Sequence, residues 1–348
     1  MYQKYFWRLS VFALLVAGVG FAGSAAAQSG IEVHGLIDNF VGKYQMSGSP
    51  SDMGMHSGGM STSFFGIGGS EDLGGGLKAR FLLNGYLRSN TGENGRFEGD
   101  PLYARDSWVG LSGSFGDVTL GRNLAPNFLP MIRSTPFGDS FGFAPIILHY
   151  HVPTKEWEAS MYTTDTAWSN QISYTTPTWK GLTANISYQL DSEDDGRRNW
   201  GGNVLYDNGP LSLSAFYENA GVSNPNPSLP AWRLQNKIKS WMLGGSYDFK
   251  FLKMYASYSQ IKEDNAGERN DKTGNLGLGI PAGAGTIMVN WAKTKRDAGA
   301  DNRYRDTASF GYDYYLSKRT DIYAVGMFDK ITYHSDEYSF VVGMRHRF

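Results

Sequence analysis

The last twelve residues, Glu337 to Phe348 (EYSFVVGMRHRF), constrain this chain more than any other stretch. Taken two at a time, one face carries Tyr338, Phe340, Val342, Met344, His346 and Phe348, and the other carries Ser339, Val341, Gly343, Arg345 and Arg347. A period of two is that of a β-strand with one oily and one wet face. A terminal strand leaves backbone N–H and C=O groups unpaired along one edge, so a chain built of such strands must close that edge or aggregate. In a bilayer, closure into a barrel is the one way a sheet can satisfy all its backbone polar groups.

The rest of the sequence repeats the pattern. Gly (44), Tyr (21), Phe (20) and Trp (9) are abundant, yet mean hydropathy is −0.37 and no internal run reaches the roughly 20 apolar residues that a membrane helix needs. The one approach to such a run is N-terminal: Lys4 and Arg8 precede an apolar segment from Leu9 to Ala22, and Ala25-Ala26-Ala27 follow. This is the layout of a secretory signal peptide over residues 1–27, with cleavage before Gln28; an uncleaved anchor is the alternative. Removing Lys4 and Arg8 from 32 basic residues, against 33 acidic, leaves a mildly acidic mature chain with no field for nucleic acid. Without cysteine there is no disulfide framework and no thiolate metal site.

Runs of about ten residues, the length tilted membrane strands require, fall at 31–43, 60–69, 77–88, 101–113, 116–122, 167–176, 181–190, 199–207, 210–219, 236–249, 251–261, 272–280, 286–295, 304–314 and 320–332. With the terminal strand they predict an all-β, sixteen-stranded transmembrane antiparallel barrel over residues 28–348. Connections alternate between short turns (70–76, 114–115, 177–180, 208–209, 281–285 and 315–319) and longer polar loops (44–59, 89–100, 123–166, 191–198, 220–235, 262–271 and 296–303). Short turns inside and long loops outside is the outer-membrane pattern.

Five stretches then resemble a known family: HGLID (34–38), FGIGGSEDLGGGLKARF (65–81), WVGLSGSFGDVTLGRN (108–123), NQISYTTPTWKGL (170–182) and VVGMRHRF (341–348). They are similar to the trimeric, sixteen-stranded general porins of Gram-negative bacteria, in the branch related to Neisseria and Burkholderia. The resemblance implies an outer-membrane homotrimer with a water-filled diffusion pore for small hydrophilic solutes and ions, in contact with outer-membrane lipid and lipopolysaccharide, with no cofactor and no catalysis. It also implies that the third loop, 123–166, folds into the lumen as a constriction, and that the strand ending in Phe348 is read by the insertion machinery.

The constriction residues follow from the same resemblance. Asp139, in STPFGDSFGF (134–143), matches the family's acidic loop position; a solvated turn residue is the other reading. Arg105 matches the basic ladder on the opposite wall. Leu36, Phe64, Gly68 and Ala167 stand where the family usually has lysine or arginine, Arg122 lies at the loop root, and Arg80 takes a place usually apolar. Asp38, in HGLID, completes the candidate set of Arg105, Arg122, Arg80, Asp139, Phe64 and Asp38. Phe137, Phe141 and Phe143 lie near it in the loop. A weak ladder with added aromatics predicts weak anion or slight cation preference and permissiveness to less polar solutes. Arg345 and Arg347, close to the chain end, are expected to tie down the barrel seam.

Other constellations carry less. Met53, Met55, His56 and Met60 are soft ligands in a Gly/Met loop, and His149 and His151 are two apart, but both sets are read as non-metal. The acidic run Asp191, Glu193, Asp194 and Asp195 is read as a solvated loop, with a divalent-ion bridge as the alternative. An outer-membrane hydrolase, the competing class, needs a nucleophile with its base, and no G-x-S-x-G places one.

Overall fold

The computed structural model describes residues 30–154, 157, 165–190, 198–221, 238–263, 269–299 and 301–348; the expected signal peptide and acidic run 191–195 lie outside them. Eighteen strands occur among the described residues: β1 (Gly30–Tyr44), β2 (Asp52–Ser57), β3 (Phe64–Gly74), β4 (Leu77–Arg88), β5 (Glu93–Asn94), β6 (Asp106–Gly113), β7 (Gly116–Leu124), β8 (Ala167–Thr175), β9 (Leu182–Gln189), β10 (Trp200–Asn208), β11 (Leu211–Ala220), β12 (Ile238–Asp248), β13 (Lys253–Glu263), β14 (Arg269–Ala282), β15 (Gly285–Ala298), β16 (Asp301–Tyr315), β17 (Thr320–Ile331) and β18 (Glu337–Arg347). Leaving aside β2 and β5, sixteen strands form an antiparallel meander. It closes where β1 pairs with β18, from Leu36 opposite Arg347 to Lys43 opposite Phe340. Phe348 finishes the seam, its N–H donating to the Gly35 carbonyl at 3.1 Å and its carbonyl accepting from Gly35 N–H at 3.1 Å. The expected all-β, sixteen-stranded barrel is what the chain forms.

Alternation sets the two faces of the wall. On β18, Phe340, Val342 and Met344 are exposed, whereas Ser339 and Val341 are buried and Arg345 is 7% exposed, the division the terminal sequence foretold. On β14 to β16, Asp271, Thr273, Asn275, Asn290, Thr294, Arg305 and Thr307 are buried on one face, while Leu276, Trp291 and Phe310 are exposed on the other. An apolar outside and polar inside is the inverse of a soluble domain and fits hydrocarbon around the barrel.

The main departure is near the start. The expected loop 44–59 holds β2, which pairs with the end of β1 from Asn39 opposite Ser57 to Tyr44 opposite Asp52, so β2 and β3 form one wall strand broken at residues 58–63. Side chains replace the ladder there: Asp38 N–H donates to Ser63 Oγ at 2.9 Å, and Ser61 N–H to Asp38 Oδ2 at 2.8 Å. Glycine, serine and methionine read as a loop because the break uses serine hydroxyls to satisfy the backbone. The expected strand 101–113 starts only at Asp106. Conversely, β15 and β16 absorb most of the expected loop 296–303, and β13 and β14 take residues 262–263 and 269–271 of the expected loop 262–271. Charge pairs carry these strands past the apolar band, such as Lys293 with Asp306 at 3.2 Å.

Among the described residues between β7 and β8 are two short helices, α1 (Phe128–Ile132) and α2 (Pro145–His151). α1 packs on β10, β11 and β12, and α2 on β14, β15 and β16. Phe137, Phe143, Ile146, Ile147 and Leu148, all at most 2% exposed, join Phe216, Met242, Met288 and Val325 in one apolar cluster. Fully burying such a side chain contributes roughly 1.5–3 kcal/mol, which holds the segment to the wall.

Candidate permeation site

The site begins with strand parity on β1, β3, β4 and β6. Register sets Leu36 opposite Phe64, Phe64 opposite Tyr86, and Asn84 opposite Asp106, so these side chains share the face of Asp38. Asn84 links them, its Nδ2 donating to Asp106 Oδ2 at 2.9 Å while its Oδ1 lies 2.8 Å from His34 Nε2. Arg105 lies flat on this wall: its guanidinium carbon is 3.8 Å from the Phe64 ring centre, and its Nε is 3.5 Å from Asp106. That Nε is buried without a hydrogen-bond partner. Phe64, with Leu36 opposite it, thus stands beside Arg105, and Gly68 lies four residues further along the same strand, on a wall that also carries Asn84 and Asp106.

The other two arginines of the candidate set are committed elsewhere. Arg80 donates to Asp117 at 3.1 Å and sits 5.7 Å from the Trp108 ring centre. Arg122, 8% exposed, donates to the Ala104 carbonyl and to Asp165, both at 2.5 Å, and to Ser169 at 3.1 Å. Arg96 also binds Asp165, at 2.9 Å. Burial pushes the Asp165 carboxyl up, but Arg96 and Arg122 outweigh it and hold it well below the usual carboxylate range. Arg122 therefore clamps the root of the 125–166 segment.

Asp139 meets the break in the second wall strand. Ser61 Oγ donates to Asp139 Oδ1 at 2.7 Å, and Ser140 Oγ to the Gly59 carbonyl at 2.6 Å. Arg345 donates to the same Ser61 Oγ at 2.9 Å, to Asp321 at 3.0 Å and to Asp313 at 3.2 Å. Tyr323 OH donates to Asp38 Oδ1 at 2.5 Å. Asp38, Asp139 and Arg345 thus belong to one hydrogen-bonded cluster. Arg347 bonds Asp321 on β17 at 3.0 Å, and Arg345 bonds Asp321 and Asp313, so the ion pairs of both arginines run to the β17 side and not across the β1–β18 seam they were expected to tie.

Sequence reasoning missed Arg345, Arg305 and Arg296 as members of this surface. Each pairs with an aspartate on the adjacent strand: Arg296 with Asp271 at 2.6 Å and Arg305 with Asp329 at 3.0 Å. Arg345 and Arg296 lie directly opposite their aspartates, and that relation becomes readable only when the register is known. Arg305 also donates to the Leu148 carbonyl at 3.2 Å, fastening α2.

The two histidines of α2 point to separate surroundings. His149 has Thr294 Oγ1 and Thr307 Oγ1 each 2.7 Å from a ring nitrogen, and burial holds its pKa well below the usual histidine value. His151 lies against Tyr150 and Phe141, its ring nitrogens have no hydrogen-bond partner, and burial lowers its pKa to about 3. In the first-loop set, alternation leaves Met53 and Met55 exposed, stacks His56 on Phe40 and buries Met60 in the apolar cluster. His34 bonds Asn84, and His346 lies by Thr320 across the wall.

A closed antiparallel barrel of this size, apolar outside and polar inside, is a transmembrane channel protein of the outer-membrane type. The chain belongs to the Gram-negative porin family, whose sequence profile matches residues 13–332. It is similar to outer membrane porin protein 32 of Delftia acidovorans, 32% identical over 331 residues that cover 90% of this chain and 87% of that one. It is also similar to an outer membrane porin of Bordetella pertussis, 28% identical over 94% of this chain and 97% of that one. Among solved structures, the anion-selective porin from Comamonas acidovorans superposes with a TM-score of 0.74 at 27% identity, over 92% of this chain and all of that one. The protein is an outer-membrane porin.

Proposed function

We propose that this porin is a passive diffusion channel whose constriction lies between the 125–166 segment and the wall formed by β1, β3, β4 and β6, and whose ion preference is weak. Its helices α1 and α2 pack on the polar, buried face of β10 to β12 and of β14 to β16, opposite their exposed apolar side, which supports the segment's lying in the lumen as a third-loop constriction. The carrying observation is the arrangement of charge. Arg80, Arg122, Arg296, Arg305 and Arg345 each lie within 3.2 Å of a carboxylate oxygen, and Leu36, Phe64 and Gly68 stand where a basic ladder is expected. A paired cation presents a dipole to a passing ion, so Arg105, whose Asp106 contact is longer at 3.5 Å, is the less-compensated guanidinium of the candidate set and is left to favour anions.

Leu36, Phe64 and Tyr86 on the wall beside Arg105 also favour a second reading, a channel that admits less polar solutes readily. Reversal potentials in a salt gradient test the first: a value near zero is expected, moving towards the cation side in Arg105→Ala. A strongly anion-selective value, as the name of the Comamonas relative would suggest, overturns it. Liposome-swelling rates of matched polar and less polar solutes test the second, which fails if polarity makes no difference.

The outer surface supports a homotrimer. Trp and Tyr face outward on β8 to β18, as at Tyr174, Trp200, Tyr217, Trp241, Tyr258, Trp291, Tyr304 and Tyr338, but the exposed side of β1, β3, β4, β6 and β7 offers residues such as Ile31, Val33, Phe65, Val109, Leu111 and Leu120. Interfacial Trp and Tyr anchor a wall to lipid headgroups, so the smooth arc is assigned to subunit contact. Export by the signal peptide 1–27, with the long loops facing outward, completes the reading.

A further inference from the structure

We propose that Asp52 and His56, on the inner face of β2, hold a divalent transition-metal ion of the zinc and copper class between them, over Gly54. The site comes from alternation. Register sets Asp52 opposite Tyr44, Gly54 opposite Gly42 and His56 opposite Phe40, near the loop ends of β1 and β2. All three share the face of Phe40, whose ring centre is 5.5 Å from that of Phe143 in the 125–166 segment. Met53 and Met55 face the other way, 73% and 60% exposed, and Met60 is buried in the apolar cluster, so the thioethers of this stretch take no part.

Two donors are left over on this face. His56 Nε2 is buried without a hydrogen-bond partner among the described residues. Asp52 Oδ2 stands 3.8 Å from His56 Nδ1, too far for a hydrogen bond, and the Asp52 carboxylate has no lysine or arginine partner among the described residues. Glycine leaves room between the two. A Cβ on Gly54 would lie 3.6 Å from Asp52 Oδ1 and 3.7 Å from His56 Nε2, so both donors border one space above the glycine. Nitrogen and oxygen ligands sit about 2.0–2.2 Å from zinc, and two of them on one tetrahedral ion stand about 3.4 Å apart. A small turn of the carboxylate closes the gap to that value. The imidazole is the fixed partner, stacked on Phe40 at 5.0 Å between ring centres, while the Asp52 side chain is 67% exposed and able to turn.

The donor set selects the ion. An imidazole nitrogen beside a carboxylate oxygen suits zinc, copper and nickel, whereas calcium and magnesium take oxygen ligands. No group of three or more histidines, aspartates or glutamates gathers at metal-holding distance among the described residues, so two protein ligands leave the remaining positions to water or to a chelating solute. The bound ion brings two positive charges against the single negative charge of Asp52. It turns an anionic spot on the inner wall into a cationic one.

This inference rests on the pairing of β1 with β2 and is independent of the constriction reading, which the metal-free reversal potential tests alone. The experiment is isothermal titration calorimetry of the purified full porin in detergent, dialysed against EDTA, with zinc chloride as the probe and calcium chloride as the comparison. Saturable zinc binding is expected, with calcium weaker. His56→Gln and Asp52→Asn are each expected to weaken zinc about tenfold or more. Gly54→Val is expected to weaken it by filling the space, and Met53→Leu with Met55→Leu to retain it. The compact form on unheated electrophoresis shows that each variant is folded. In planar bilayers, zinc is expected to move the reversal potential towards anions in the native porin and to leave it in place in His56→Gln. An absence of saturable zinc binding, equal binding of calcium, full binding by His56→Gln, Asp52→Asn or Gly54→Val, or loss of binding in the double Leu variant would each overturn the proposal.

Discussion

Arg105 and Phe64 show how a single side chain alters a channel. A guanidinium stacked 3.8 Å above a ring keeps its charge while losing part of its hydration. Replacing the ring should change the sign structure of the wall: Phe64→Lys adds a cation on the face shared with Leu36 and is expected to move the reversal potential towards anions, read in a tenfold potassium chloride gradient. Gly121 is a second decisive residue. It sits at φ +134° beside a register shift, and any Cβ there would collide with the Ser107 carbonyl. Gly121→Ala is expected to cost about 1–3 kcal/mol, seen as a lower temperature for loss of the compact electrophoretic form. At this scale a motif is what singles out Phe64, Arg105 and Asp139 in the sequence, and the structure sets Arg105 on the Phe64 ring and Asp139 on Ser61. The sequence was silent on Arg345, because a wet-face arginine acquires its role from Asp313 on β16 and Ser61 in the strand break, far away in sequence.

Among the elements, the 125–166 segment is the one whose docking depends on pH. His151 is buried and neutral, with Tyr150 and Phe141 against it and Asp165 and Arg96 acting on it at longer range. Its pKa is about 3 in the docked segment and 6.5 when free. The released segment therefore takes up a proton first, and docking weakens as pH falls below 6.5, by about 1.4 kcal/mol per unit, until the docked pKa is reached. Protease access to the segment is expected to rise between pH 6 and about 4, and His151→Phe should blunt that rise; an unchanged pH profile in the variant would count against it. The helices α1 and α2 escaped sequence reading because five and seven residues give too few turns for a periodic signal. The broken strand β2–β3 escaped for the opposite reason, since its residues favour a loop and only pairing with β1 makes them a strand.

The whole barrel was the most legible level, because its alternation is repeated on every strand and a single misread boundary changes little. What the sequence withheld was the division of the outer wall into arcs, which depends on which strands lie side by side. If the smooth arc joins subunits, Val109→Asn, at a position 56% exposed, should loosen the oligomer on unheated electrophoresis. Leu276→Asn on the aromatic arc should leave its assembly unchanged. The pairing of lumen arginines with aspartates has an electrical consequence. Fixed wall charge recruits its own counter-ions, and the conductance of such a pore levels off in dilute electrolyte; an arginine–aspartate pair recruits few, since its opposite charges cancel beyond a few ångströms. This porin should therefore behave as a simple resistor, with a conductance that keeps falling in proportion to bulk salt where a pore with a free basic wall would reach a plateau.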